Sequence, residues 1–310
     1  MSVQLKQDIF AAAHEMGFDL VGLTLPMIAN GGFYQDWIKN NYAGSMEYLH
    51  RHIEKRLDPR LLVPEVKTIL CLGLNYFQKS TEPSAEGQIS VYAWGRDYHL
   101  VMKDMLHRLA GKISELVGRD FVYRAFVDSG PVLEKVLAQQ AGLGWIGKNS
   151  CLINRDAGSF VFLGELFLDF ELPVNEPGEN YCGRCQKCIE ACPVRAIVAP
   201  SVIDARRCLS YLTIEHRGEI DSGLAERMGH CLFGCDLCQQ VCPFNQKCQP
   251  TSIADFRRHV LGENVNPTEV ISWDEKTYRL RTADSAGGRA TLEQWRRNAK
   301  CVTLFAKRRT

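Results

Sequence analysis

The sequence predicts an α+β chain in three parts. A mixed α/β domain covers residues 1–172, a ferredoxin-like domain for two [4Fe–4S] clusters covers 173–250, and a short helical tail covers 251–310. Three observations predict this. Helical and strand-like apolar patterns alternate through the first part. A cysteine run of ferredoxin spacing occurs twice between Cys182 and Pro243. The last segment sets an apolar stripe at helical spacing beneath a group of cations.

Residues 3–16 read as an amphipathic helix with Leu5, Ile9, Ala12, Ala13 and Met16 on one face. Gly17 ends it, and residues 18–24 read as a strand. Residues 34–55, rich in aromatic and charged side chains, are expected to be helical. Residues 66–75 form a buried strand and 79–88 a polar loop. Residues 98–117 place Val101, Met105, Leu109, Ile113 and Leu116 at helical spacing and form a long helix. A strand over 121–127, a helix over 131–141 and a strand over 159–170 follow. Residues 173–180, with two prolines and a glycine, are a linker into the cysteine-rich part.

Cys182, Cys185, Cys188 and Cys192-Pro193 follow the pattern C-x2-C-x2-C-x3-C-P, and Cys235, Cys238 and Cys242-Pro243 repeat its later half. Thiolates three residues apart on a tight loop can each reach one corner of a cubane. In such runs the fourth cysteine ligates the other cluster. One cluster is therefore assigned to Cys182, Cys185, Cys188 and Cys242. The other takes Cys192, Cys235, Cys238 and one more thiolate. Leu232 stands where a strict repeat would put that residue, so Cys208 and Cys231 both remain open. Zinc knuckles share the C-x2-C element but have no use for the third cysteine or the closing Cys-Pro. Cys71, Cys151, Cys248, Cys301 and one of the two open candidates are left over. Cys71 lies in an apolar run and reads as packing.

The 310 residues are 45% apolar and 24% charged, the composition of a globular chain with a core. No apolar run is long enough to span a membrane, and residues 1–6 do not begin a signal peptide. Thirteen cysteines without an export signal point to metal binding in a reducing cytoplasm. Net charge is +1, but residues 289–310 hold seven bases (Arg289, Arg296, Arg297, Lys300, Lys307, Arg308, Arg309) against Glu293. The tail is thus +6 and the rest −5 by difference, which suits an anionic partner. The stripe of the last helix is Leu292, Trp295, Ala299, Val302 and Ala306, with Arg296, Arg297 and Lys300 off it.

Two motifs need their context. Gly142-Leu-Gly144-Trp-Ile-Gly147 matches G-x-G-x-x-G, but a helix precedes it and extended chain follows, the reverse of a dinucleotide turn. It reads as a close-packed loop that ends a helix. Asp97-Tyr-His99-Leu-Val-Met102 is similar to the D-x-H-x-x-G signature of His-ligated cobalamin proteins. It ends in Met102 where the backbone must turn, so His99 is not assigned as an axial ligand. Asp128 closes an apolar strand just before Pro131. It could cap the helix or form an Asx turn. A carboxyl at a strand end, among Phe126, Val127 and Trp145, could also hold a raised pKa and keep a proton to donate.

The chain resembles the epoxyqueuosine reductase family over nearly its whole length. The resemblance is carried by residues 46–52 with Lys55, Arg56 and Pro59; by residues 92–99 and 127–135; by 142–149 and 158–165; and by the first cysteine run, 208–215 and 233–243. It implies a cobalamin-binding N-terminal domain of reductive-dehalogenase-like fold, followed by a ferredoxin domain. It also implies reduction of epoxyqueuosine at the tRNA wobble position to queuosine, the last step of queuosine biosynthesis. The family pattern favours Cys208 as the open ligand. It implies cofactor contacts at Arg51, Tyr92, Asp97, His99, Asp128, Lys148, Leu152, Leu163 and Thr213, with Asp128 catalytic. tRNA contacts are expected at Ser210, His216, Arg217, Arg296, Arg297 and Lys300. Members often carry a HEAT-like C-terminal domain; here only its first helices are expected.

The chemistry agrees with that implication. Removing an epoxide oxygen takes two electrons and at least one proton, which two clusters, a reduced cobalt and an acid can supply. An external low-potential electron donor, a cytoplasmic location and a monomeric state are expected. A cytoplasmic dehalogenase-like enzyme leaves the basic tail unexplained. A ferredoxin-type carrier leaves the N-terminal domain without a role.

Overall fold

The computed structural model describes residues 2–80 and 87–307. Part of the polar loop predicted at 79–88, and Arg308 and Arg309, lie outside the described residues, as do the side chains of Ala306 and Lys307. Helix α1 (Val3–Glu15) starts where the Ser2 hydroxyl accepts the Leu5 N–H, and it buries Ile9, Ala12 and Ala13. Strands β1 (Leu20–Thr24) and β2 (Thr68–Asn75) follow, and all eight residues of β2 are buried. Helix α2 (Tyr98–Val117) is capped by Asp97 and buries seven residues from Val101 to Ile113. Leu116, expected on that face, lies in the last turn and is 36% exposed. Strand β3 (Tyr123–Phe126), helix α3 (Glu134–Gln140) and strand β4 (Val161–Leu168) complete the layer.

The sheet order is β1-β2-β4-β3, and every neighbouring pair is antiparallel. The β2–β4 ladder runs from Thr68 opposite Leu168 to Asn75 opposite Val161. Side chains of β2 alternate between two cores because a strand has a period of two. Leu70, Leu72 and Leu74 meet α1 and α2, whereas Ile69 and Cys71 meet α3. Cys71 is fully buried there, in accord with the packing expectation.

The single helix expected over 34–55 is not formed. Three short helices, Gly32–Lys39, Glu47–His50 and Ile53–Leu57, are separated by left-handed residues at Asn41, Gly44 and His52. Tertiary contact imposes the break. A Cβ at Gly44 would come within 2.6 Å of the Tyr211 hydroxyl, which accepts the Ser45 N–H at 2.8 Å. The glycine-rich motif is indeed a close-packed loop after α3. Gly144 has φ +157, and a Cβ there would lie 2.1 Å from the Ile153 carbonyl oxygen, across the hairpin pairing Trp145–Ile146 with Leu152–Ile153.

Residues 171–180 carry no regular structure. Beyond them, short helices Lys187–Glu190 and Leu237–Gln240 follow the two cysteine loops. Helix α4 (Leu209–Ile214) and strand β5 (Cys231–Phe233) lie between. Strand β5 runs parallel to the short strand Gln88–Ile89, which ties the cysteine-rich segment to the N-terminal one. The tail includes α5 (Pro267–Ser272) and α6 (Leu292–Lys307). Leu292, Trp295, Ala299 and Val302 are buried, as the stripe predicted. Trp295 stacks on Phe233 at 5.0 Å, and the buried Asn298 amide donates to the carbonyls of Thr213 and Leu232. One continuous core thus joins Ile9, Leu72, Phe233, Val270 and Trp295 across both predicted domain boundaries. Among the described residues no helix is long and apolar enough to cross a membrane.

Candidate functional site

Cys182, Cys185, Cys188 and Cys242 all line one cavity of about 230 Å³, together with Tyr181 and Phe244. Its walls are braced from the N-terminal domain. The Trp145 indole N–H donates to Cys182 Sγ at 3.3 Å, and Lys148 Nζ donates to the carbonyls of Gly183 and Cys185 at 2.8 Å each. Burial, and then the charges of Cys182 and Cys185, push the Cys188 thiol up. Four thiolates packed this way require positive charge at their centre. A ring of thiols around a space fits a cubane.

The second group is deeper. Burial pushes the Cys208 thiol up to about 11, with Cys235 and Cys192 as charged neighbours. Cys238 is pushed well up by a hydrogen bond with Cys151, then by burial, and by the charges of Cys151, Cys235 and Cys208. Cys208 therefore stands among Cys192, Cys235 and Cys238. Cys231 lies against Cys235 and raises its pKa through a hydrogen bond. Cys151, left over by the sequence reading, sits on this group because the 145–153 hairpin carries it there.

Asp128 lies beyond the end of β3, in the left-handed conformation with φ +46. Its backbone N–H donates to Glu134 Oε1 at 2.5 Å. It does not cap α3, whose N-cap is Leu133. The Asp128 carboxylate accepts the Tyr98 hydroxyl at 2.8 Å and lies 3.8 Å from His99 Nε2. His99 Nδ1 is in turn 2.7 Å from Asp97 Oδ1. Burial alone would raise Asp97, but the hydrogen bonds from the His99 ring and backbone hold it below the usual range. Tyr98 is pushed well up by burial and then by Asp128, so its phenol stays a donor, and its ring stacks on Phe162 at 4.2 Å.

The apolar enclosure expected for Asp128 is absent. Its side chain is 66% exposed, and Trp145 packs instead against Tyr181 and Phe244 beside the cysteines. Facing Asp128 are groups from the other segments. Arg289 Nε pairs with Glu215 at 2.8 Å and lies over the Tyr48 ring, and these charges and that of Asp128 are felt at both Tyr48 and Tyr92. Tyr98, Glu134, Glu165, Glu215 and Arg289 were not singled out from the sequence for a role here, because no spacing links them.

The remaining expected residues separate into three kinds. Tyr92, Asp97 and His99 stand near Asp128, and Arg51 is exposed at the end of the Glu47–His50 helix. Leu163 is half-buried on β4, and Leu152 is buried in its hairpin. Lys148 is occupied by the cysteine loop, and the wholly buried Thr213 hydroxyl donates to Leu209 O and accepts from the Gly234 N–H. Two cations of the basic helix face are engaged within the chain. Arg297 donates to the carbonyls of His216, Gly218 and Leu212 at 2.5–2.7 Å, and Arg296 donates to the Trp273 carbonyl. Both guanidinium groups serve this chain's own backbone. Lys300 and Arg217 are exposed, Arg217 meeting Gln294, while Ser210 is half-buried and His216 pairs with the Glu219 carbonyl.

Comparison with known proteins bears on the whole chain. A family model described as "Epoxyqueuosine reductase QueG, DUF1730" matches residues 56–129, and one for a "4Fe-4S double cluster binding domain" matches 181–245. An epoxyqueuosine reductase of Pseudomonas aeruginosa is 43% identical over 304 residues, covering 95% of this chain and 84% of that protein. One from Leadbetterella byssophila is 41% identical over 301 residues, covering 96% and 97%. A crystal structure of epoxyqueuosine reductase with an epoxyqueuosine-modified tRNA-Tyr stem loop superimposes with TM-score 0.88 at 26% identity, covering 98% of this chain and 82% of that one. The Bacillus subtilis enzyme, with a catalytic aspartate loop swung out of the active site, gives 0.86 at the same identity and the same coverage.

Proposed function

Because the chain belongs to the epoxyqueuosine reductase family, we propose that it reduces the epoxide of epoxyqueuosine at the tRNA wobble position to the alkene of queuosine. The observation that carries the reading is the presence in one fold of an exposed acid, Asp128, and a cavity ringed by four thiols. The conversion consumes two electrons and two protons and releases the oxygen as water. Cobalamin, when bound, would supply low-potential chemistry to the epoxide, and the [4Fe–4S] clusters would supply electrons singly.

Cys182, Cys185, Cys188 and Cys242 hold one cluster, and Cys192, Cys208, Cys235 and Cys238 hold the other. Tyr92, Arg51, Asp97, His99 and Leu163 would hold cobalamin next to the solvent-open Asp128. Lys148, Leu152 and Thr213, expected as further contacts, fix the cysteine loop, the hairpin and α4. Asp128 delivers a proton to the leaving oxygen, while Tyr98 and His99 orient the carboxyl. Lys300, Arg217, His216 and Ser210 face the tRNA. The protein acts as a monomer in the cytoplasm, supplied by an external low-potential donor.

The test is incubation of protein loaded with both clusters and cobalamin with epoxyqueuosine tRNA and a low-potential reductant, followed by nucleoside analysis. Queuosine should replace epoxyqueuosine. Unchanged epoxyqueuosine on fully loaded protein overturns the reading.

A further inference from the structure

Glu165 lies mid-strand on β4, opposite Cys71 of β2 and Phe126 of β3. It is wholly buried, and neither carboxyl oxygen finds a hydrogen-bond donor. Its alternation with Leu163 and Phe167 points it to the face covered by α3. There the Glu134 carboxyl lies within hydrogen-bond reach of it. Glu134 is also the acceptor for the Asp128 N–H. The other ionisable groups facing this pair are Asp128 itself, Cys71 of β2, Lys135 of α3 and Tyr98 of α2.

An ionised carboxylate enclosed without a donor is strongly disfavoured. Two adjoining ones are worse, because like charges in a buried site cannot both form. A retained proton removes both problems, since the neutral acid then donates to its neighbour. Burial, first of all, pushes both groups up, Glu134 to about 8. Asp128 meanwhile holds a left-handed backbone that a non-glycine residue rarely adopts, and its N–H bond to Glu134 sits at that bend.

We propose that Glu165 and Glu134 share a proton, and that this carboxyl pair is the positioning device that holds the Asp128 loop in its reactive conformation. Glu165 donates to Glu134, Glu134 accepts the Asp128 N–H, and the bend this fixes places the Asp128 carboxyl at Tyr98. When the shared proton leaves, the buried Glu165 carboxylate and the half-buried Glu134 carboxylate repel and the loop loses its anchor. The proposal rests on Asp128 as the acid of the reaction, but the pair can be observed without turnover.

The experiment compares wild type, Glu165→Gln and Glu165→Leu, each loaded with both clusters. Infrared difference spectra, recorded without substrate from about pH 6 to about pH 9, should show a protonated-carboxyl band in wild type that persists well above the ordinary Glu range. That band should be missing from both variants. In turnover, Glu165→Gln keeps a donor toward Glu134 and should stay within about threefold of wild type at neutral pH, losing the alkaline fall in rate. Glu165→Leu leaves Glu134 without that donor and should be about tenfold slower, with KM for tRNA little changed. Absence of the band in wild type overturns the shared proton. Equal turnover of the Gln and Leu variants, or an alkaline limb retained in Glu165→Gln, overturns the positioning role. Normal turnover of Asp128→Asn, paired with a normal carboxyl band in wild type, would count against only the acid assignment.

Discussion

The cysteine-ringed cavity and the Asp128 site are built in opposite ways. The cavity takes three of its four thiols from seven consecutive residues, Cys182 to Cys188, and closes with Cys242 from the matching run. Its geometry is written in short spacings. The acid site joins Tyr98 and His99 of α2, Asp128 beyond β3, Glu134 of α3 and Glu165 of β4, with Glu215 and Arg289 opposite. Apart from the neighbours Tyr98 and His99 and the short loop from Asp128 to Glu134, spacing does not relate them; the folded sheet and its helices bring them together. Cluster sites tolerate little variation in ligand separation because each sulfur must reach one metal corner, whereas an acid needs only the right neighbours in space.

The sharpest test of the spacing-built half is its one ambiguous ligand. Cys208→Ala should drop iron from about eight to about four per chain and abolish turnover, while Cys231→Ala should keep both clusters. The reverse result would make Cys231 the ligand, and Cys208 would become the neighbour. For the fold-built half, Asp128→Asn should retain iron and cobalamin yet turn over about 10²–10⁴-fold more slowly. Normal rates in that variant would remove the acid from the comparison altogether.

The two halves should also respond differently to pH. Burial, then the charge of Asp128, raises Glu134 to about 8. A carboxyl raised on folding binds its proton more tightly folded than unfolded. Its contribution to stability is therefore complete below about pH 4 and is lost as pH rises toward about 8. Denaturant unfolding across that range should show the fall in wild type and a flatter profile in Glu134→Gln. An identical slope would mean that Glu134 does not titrate in the folded protein.

The smallest effects concern the tail, which packs on the cysteine-rich segment. Arg297→Gln should cost about 1–3 kcal/mol of stability, because it frees three carbonyls that the guanidinium now satisfies, and should leave the salt dependence of tRNA binding unchanged. Lys300→Gln should do the reverse, with stability within about 0.5 kcal/mol of wild type and the salt slope reduced by about one. Exchanged outcomes would return Arg297 to the tRNA-facing set.

What the sequence by itself determined was whatever repeats over short distances. Helix α2, strands β2 and β4, the packing of Cys71, the glycine-rich loop after α3 and the two cysteine runs were all legible, because periodicity and ligand spacing act within one turn or one loop. Asp128 was also visible, as a carboxyl at a strand end. Tertiary structure decided the rest. It bent residues 34–55 under Tyr211, where a helical composition had no reason to break. It turned Arg296 and Arg297 from a surface charge pattern into backbone braces, since a guanidinium beside open carbonyls is satisfied there. It left Asp128 open to solvent and placed two further carboxyls behind it. Contacts between residues far apart in the chain depend on how layers stack, and one strand's pattern shows only which of its faces is apolar.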